Sequence, residues 1–343
     1  MRILIIRQDH LGDLVLTTPL FRALSRAGHD VHVVARRSAL AVLAGNPFIA
    51  SVTGLEEIAP QFPRGILSLA GWIRRMAPDV VMLPHAKPLA LVLGARMGHL
   101  GRILTMWGGV SARALGCECL RSALPHHPRH ISEIWMDLAQ RIGARSDGFA
   151  PDVFVEPAEA EALQARLPGP IYARWVVVHP GCAGNTCNLP PEVYAEIVAH
   201  LHRDTGCFIA ITGSAVEAGR FKGVFPSADN GRIWNAMGQL DLRQLCALLA
   251  RADCLVSVGT GPLHIASAVG TATVSPFCRR VGVSAKVWGN LGAPAQVLEP
   301  PDGFCEEQSA GEHCNFCGTI SAETLARSVI EILSPWRTDN MDI

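Results

Sequence analysis

The sequence predicts an α/β protein in two halves, each a parallel sheet covered by helices. Three observations lead there. Short apolar, β-branched runs alternate along the chain with stretches of helical periodicity, the pattern of βαβ units. Hydrophobic residues make up 49% of the chain and charged residues only 17%, which suits strands buried on both faces. Strand, glycine-bearing turn and helix recur, first at the N-terminus and again after residue 175. With 343 residues there is room for two substantial cores. The expected domains are 1–160 and 161–343, the last helix being free to pack back on the first.

In chain order, Arg2-Ile3-Leu4-Ile5-Ile6 reads as a central parallel strand. Arg7 to Gly12 make a polar loop, and Asp13 stands at the entrance of a helix carrying Leu16, Leu20 and Leu24 on one face. Pro19 is expected to kink or restart that helix. Further strands are expected at 31–35, 50–52 and 79–83. Lys87 and His85 follow the last of these, at the end of a strand where open α/β sheets place ligands. A linker-like stretch runs from Ala144 to Pro170. The second half begins at Trp175-Val176-Val177-Val178 and continues with a strand at 208–211 that ends on Thr212-Gly213-Ser214. A helix with Leu242, Leu245, Leu248 and Leu249 follows, with Asp241 placed to cap it.

The charge balance, 30 basic against 30 acidic side chains, gives no global field for nucleic acid, so any anion site is local. The sequence opens without a secretory signal, and its eleven cysteines are expected to be reduced in a cytoplasmic protein. No apolar stretch reaches the ~20 residues of a spanning helix. Ile66, Leu69, Ile73 and Met76 line a helix that also bears Trp72, Arg74 and Arg75. Such a helix either covers a sheet or lies on an anionic membrane as a peripheral contact. Pro125-His126-His127-Pro128-Arg129-His130 resembles a metal cluster, yet its prolines and lack of carboxylates favour a solvated or acceptor-facing loop.

The stretch with most chemical content is Val256-Ser257-Val258-Gly259-Thr260-Gly261-Pro262-Leu263-His264-Ile265-Ala266. A strand ends, glycines allow close approach to the main chain, and a helix is expected to start with Pro262 at its first position. Such an opening offers unpaired N–H groups and a partial positive charge to a phosphate, with His264 within reach. An ordinary strand-turn-helix corner is the alternative.

Taken together with Met1-Arg2-Ile3-Leu4-Ile5-Ile6, Leu11-Gly12-Asp13, Thr18-Pro19, Val178-His179-Pro180-Gly181, Ile211-Thr212-Gly213-Ser214 with Glu217, and Met237-Gly238, this stretch resembles glycosyltransferase family 9, the heptosyltransferases of the lipopolysaccharide core. The resemblance implies the GT-B architecture, two Rossmann-like domains whose parallel sheets face across a cleft. It implies an inverting transfer of heptose from ADP-heptose to a saccharide or glycolipid acceptor. Asp13 matches the general base, a carboxylate that takes the proton of the attacking hydroxyl; helix capping is its other reading. Gly12 and Lys87 are then candidates for the acceptor side. Thr260, Gly261 and His264 match the phosphate-binding turn, beside Gly259. Glu217 matches an acidic position near the ribose and Met237 a position near the base. A helix-start residue and core filler are the alternatives for these two.

Two positions depart from the family pattern. Gly259 stands where the family has Asp, and Cys187-Asn188-Leu189-Pro190 where it has a cation before Trp-Pro. Arg7, Arg279, Arg280 and Lys286 are the candidates to replace that cation. No Asp-x-Asp motif occurs, so helix N-termini and cationic side chains, with no catalytic cofactor, are expected to hold the diphosphate. Cys305, Cys314 and Cys317 read as reduced surface thiols, with a zinc or iron–sulfur site as the alternative.

Overall fold

The computed structural model describes residues 1–85, 89–106, 110–120, 129–170, 173–182, 184, 186–225, 231–304 and 319–334. The chain divides into two compact units, Met1–Phe154 and Val155–Ile343.

The first unit is built on six parallel strands: β1 (Arg2–Arg7), β2 (Asp30–Ala35), β3 (Ser51–Gly54), β4 (Val80–Leu83), β5 (Arg102–Met106) and β6 (Glu118–Leu120). They lie in the order β3-β2-β1-β4-β5-β6. Ile3 to Ile6 are at most 1% exposed, because helices cover both faces of a parallel sheet. Pro19 restarts the following helix as expected: one helix spans Leu11–Val15 and the next Thr18–Arg26. Proline has no N–H for the Val15 carbonyl, and the Thr18 hydroxyl donates to that oxygen instead at 2.7 Å. The buried Arg22 then ties this helix to the unit's last segment, through Asp147 at 3.0 Å and through Asp152. In the Ile66–Met76 helix, Leu69, Ala70 and Ile73 are buried, and only Leu67 among its large apolar residues is strongly exposed, at 72%. Its apolar face is spent on covering the core.

The second unit repeats the plan with β7 (Trp175–His179), β8 (Phe208–Ile211), β9 (Ile233–Asn235), β10 (Cys254–Ser257), β11 (Ala272–Pro276) and β12 (Ala295–Leu298). Their order is β12-β11-β10-β7-β8-β9, the same topology as in the first unit read from the other edge. The Pro157–Gln164 helix belongs here, held by Glu159 against Arg243 of the Leu242–Arg251 helix at 2.7 Å. The last described helix, Ala322–Leu333, packs on Pro191–Asp204 and buries Leu325, Ala326 and Val329 in this unit's core. Each sheet therefore reverses its strand order once, between β1 and β4 and between β7 and β10. Crevices at such reversals, outside the carboxyl ends of the strands, are where open α/β sheets bind ligands.

Candidate active site

At the first reversal, β1 ends in Arg7, whose side chain is 2% exposed. Its guanidinium lies over the Trp135 ring, 4.5 Å from the centroid. One nitrogen donates to Asp13 Oδ1 at 2.7 Å and another faces Asp9 Oδ2 at 3.2 Å. Asp9 in turn meets His85 Nδ1 at 3.2 Å, a contact made possible because β1 and β4 are neighbours. Asp13 sits in the five-residue Leu11–Val15 helix and its carbonyl accepts from Thr17 Oγ1 at 2.7 Å. Gly12 beside it is buried.

The two carboxylates differ in basicity. Burial pushes Asp13 above the ordinary carboxylate range, and the attraction of Arg7 offsets only part of this. Burial acts the same way on Asp9, but the hydrogen bond from His85 together with Arg7 outweighs it and holds Asp9 below that range. Asp13 is thus the better proton acceptor of the pair.

At the second reversal, β10 leads through Val258 and Gly259 into the helix Gly261–Val269. Gly261 opens this helix and Pro262 is its second residue. Thr260, the N-cap residue, makes no side-chain cap; its hydroxyl pairs instead with Ser257 Oγ at 2.9 Å. The helix mouth is therefore left without the capping oxygen that Thr would ordinarily supply. His264 is 3% exposed, one turn inside. The helix closes on Gly270, whose φ of 85° is the left-handed value that favours glycine.

The neighbouring loops complete the corner. His179 ends β7, is 8% exposed and meets Thr212 Oγ1 at 3.0 Å. Burial drives its pKa down to about 4, despite the nearby Glu217 carboxylate, so the imidazole is neutral. Glu217 reaches back over its own helix start: Ser214 donates to Oε2 through N–H at 2.7 Å and Oγ–H at 2.8 Å. Its carboxylate covers Gly181 so closely that a Cβ there would lie 2.1 Å from Oε1. Met237 is 7% exposed and its methyl faces Gly213. Glu217 and Met237 thus occupy the helix-start and core positions named as their alternatives, while flanking one small corner together.

Lys87, Cys305, Cys314 and Cys317 lie outside the described residues, as do residues 125–128 of the histidine-rich stretch. His130 is described and caps the Ile131–Gln140 helix by accepting from Ser132 N at 3.2 Å. Among the described residues no helix is long and apolar enough to cross a membrane. Of the cations proposed to meet the phosphates, Arg7 is committed to Asp9 and Asp13 in the first unit. Arg279 is held by Glu299, Asp302 and the Pro300 carbonyl. Lys286 is exposed. Arg280 is half-buried four residues past β11 and makes no ion pair among the described residues. Sequence reasoning missed Asp9 and Trp135 as parts of the first corner. It also missed Phe277, whose buried ring lies so close to Gly259 that an added Cβ would be 2.9 Å from Cε1.

The family model of glycosyltransferase family 9 (heptosyltransferase) matches residues 118–290, half of the chain. A curated protein of Haemophilus influenzae, provisionally assigned as a glycosyltransferase, is 23% identical over 178 residues. The alignment takes in 52% of this chain and 50% of that protein, so the chain spans about half the length of the curated relative it matches. Among solved structures, the glycosyl transferase family 9 protein of Veillonella parvula superposes with a TM-score of 0.80 at 18% identity, over 97% of both chains. The E. coli ADP-heptose lps heptosyltransferase II gives 0.77 at 17% identity, over 97% of this chain and 98% of that one. E. coli heptosyltransferase WaaC, solved with ADP, gives 0.71 at 17% identity over 97% and 100%. At these identities the structures speak for the fold, which is GT-B-like. With its two Rossmann-type sheets and a family match across half its length, the chain belongs to glycosyltransferase family 9.

Proposed function

We propose that this chain is an inverting glycosyltransferase that moves a sugar, heptose from ADP-heptose in the first instance, to a lipopolysaccharide-core or other glycan acceptor. The observation that carries the reading is the open helix mouth at Thr260-Gly261, set at the strand-order reversal of the second sheet. In this reading the acceptor hydroxyl attacks the anomeric carbon as the bond to the diphosphate oxygen breaks. The hydroxyl proton passes to the Asp13 carboxylate, the more basic of the first corner's two acids. The electron pair leaves with the nucleoside diphosphate. Its growing charge is met by the N–H groups at Gly261 and by Arg280, rather than by a metal held on an Asp-x-Asp motif. Glu217 takes the ribose hydroxyls and Met237 borders the base. WaaC, solved with ADP, supports a nucleotide-sugar donor.

A second reading, a different nucleotide-sugar donor, is favoured by the Phe277 ring packed on Gly259. Where the family pattern has a carboxylate, an added Cβ here would lie 2.9 Å from the Phe277 ring, which would have to move to admit a side chain. A donor panel with turnover readout separates the two. Turnover with ADP-heptose alone supports the first, and turnover only with another nucleotide sugar supports the second. Nucleotide binding with no turnover on any acceptor would reject both and leave a binding protein. In each case Asp13→Ala is expected to abolish transfer while donor affinity stays within about twofold, because the donor residues lie in the other unit.

A further inference from the structure

We propose that Arg7 is the positioning residue of the first corner: its buried guanidinium holds the Asp13 carboxylate in one orientation and divides its charge between Asp13 and Asp9. The inference rests on the reading of Asp13 as general base. Three features support it. The guanidinium is 2% exposed, so its charge is little screened by water. Its plane is fixed by the Trp135 ring at 4.5 Å, a favourable cation–π placement. Its fork spans two separate carboxylates, at 2.7 Å to Asp13 and 3.2 Å to Asp9.

The division of charge has a physical consequence. Asp13 is faced by Arg7 from β1 and by Asp9 and His10 from the loop that follows. Asp9 is faced by Arg7, by His10 and by His85 from the end of β4. Arg36 donates to the Gln8 carbonyl and holds the same loop from the end of β2. Asp9 therefore competes for Arg7 and repels Asp13, and His85 sets how strongly it does so. Losing Arg7 would leave the two carboxylates with only His10 and His85 beside them, and the more buried of the pair, Asp13, would hold its proton longer. Losing the charge on Asp9 would give Arg7 wholly to Asp13 and act in the opposite sense.

Two measurements on the full chain test this. The first follows the Asp13 carboxyl carbon by NMR in protein labelled at aspartate, with Asp13→Asn assigning the signal. The second is the pH profile of kcat/KM with ADP-heptose and heptose-free lipopolysaccharide core. In Arg7→Met the Asp13 midpoint and the acid limb of the profile are expected to rise together by about one pH unit, roughly a tenfold loss at a fixed acidic pH. Arg7→Lys keeps the charge without the fork and should move both less. Asp9→Asn should move both downward. Should Arg7→Met fail to fold, the Lys and Asp9 variants still decide the matter. Midpoints unchanged in these variants, or a profile that drops without moving sideways, would overturn the proposal. Turnover surviving in Asp13→Asn would instead defeat the base assignment, a failure the NMR titration tells apart.

Discussion

Gly181→Ala distinguishes a ribose ligand from a helix cap at Glu217. An added methyl would lie 2.1 Å from Glu217 Oε1, 2.4 Å from Cδ and 2.7 Å from Oε2. No carboxylate tolerates such approach, so the side chain must withdraw by more than an ångström. It is the free end of a half-buried chain and can do so without moving the backbone. It then gives up the bonds from Ser214 N–H and Oγ–H, at 2.7 and 2.8 Å. A lost cap costs about 1 kcal/mol, which for a folding unit the size of Val155–Ile343 lowers its Tm by roughly 2–4 °C. Displacing a carboxylate that holds ribose hydroxyls costs a further 1.5–3 kcal/mol of binding, roughly 10- to 100-fold in Kd. Calorimetric titration with ADP and thermal unfolding read the two effects separately. Ser214→Ala is the control: it lowers Tm similarly and leaves Glu217 available to the nucleotide. If Gly181→Ala lowers Tm as expected while the ADP Kd matches wild type, Glu217 is a cap alone and the ribose assignment fails.

Three other predictions follow from neighbouring contacts. Gly259→Ala should destabilise the chain by about 1–3 kcal/mol, since its methyl meets the buried Phe277 ring at 2.9 Å; adding Phe277→Leu should recover most of this in urea unfolding. Tyr194 donates to Asn188 Oδ1 at 2.8 Å, and Asn188 Nδ2 donates to the Pro180 carbonyl at 3.0 Å. Tyr194→Phe should therefore cost about 1 kcal/mol and raise the protease sensitivity of the loop after β7. His179 is neutral in the folded chain, with its pKa lowered from 6.5 to about 4. The unfolded chain takes up the proton first, so its contribution is intact above pH 6.5 and is lost as pH falls toward 4. Between pH 7 and pH 5 the loss is about 2 kcal/mol, and His179→Asn should flatten that part of the stability profile.

Much of the fold was legible because a buried parallel strand is a continuous apolar run. β1, β4, β7 and β8 were read within a residue or two. β5, with Ile103-Leu104-Thr105-Met106, carries as plain a signal and was overlooked. β6, β9 and β12 lie at or beside sheet edges and are three or four residues long. Their half-buried patterns fall below what periodicity resolves. The helix start was readable to within one residue, since glycine and proline punctuate it: Pro262, expected at its first position, stands second, after Gly261. The partners around it were not. Phe277 meets Gly259 because β10 and β11 are neighbours. Asp9 meets His85 across 76 residues of sequence, a pairing that exists only once β4 crosses over to lie beside β1. Position suggested Asp13 as a helix cap and the family resemblance suggested it as a base, but its link to a buried Arg7 stacked on Trp135 needed the packing of the Ile131–Gln140 helix.

The central claim is that the second unit's strand-order reversal holds a nucleoside diphosphate at the mouth of the Gly261–Val269 helix. A crystal structure of the chain soaked with ADP tests it most directly. The account predicts diphosphate oxygens within hydrogen-bond distance of Gly261 N, with the ribose against Glu217 and the adenine beside Met237. A nucleotide bound at any other place, with that helix mouth in contact only with solvent, would contradict it.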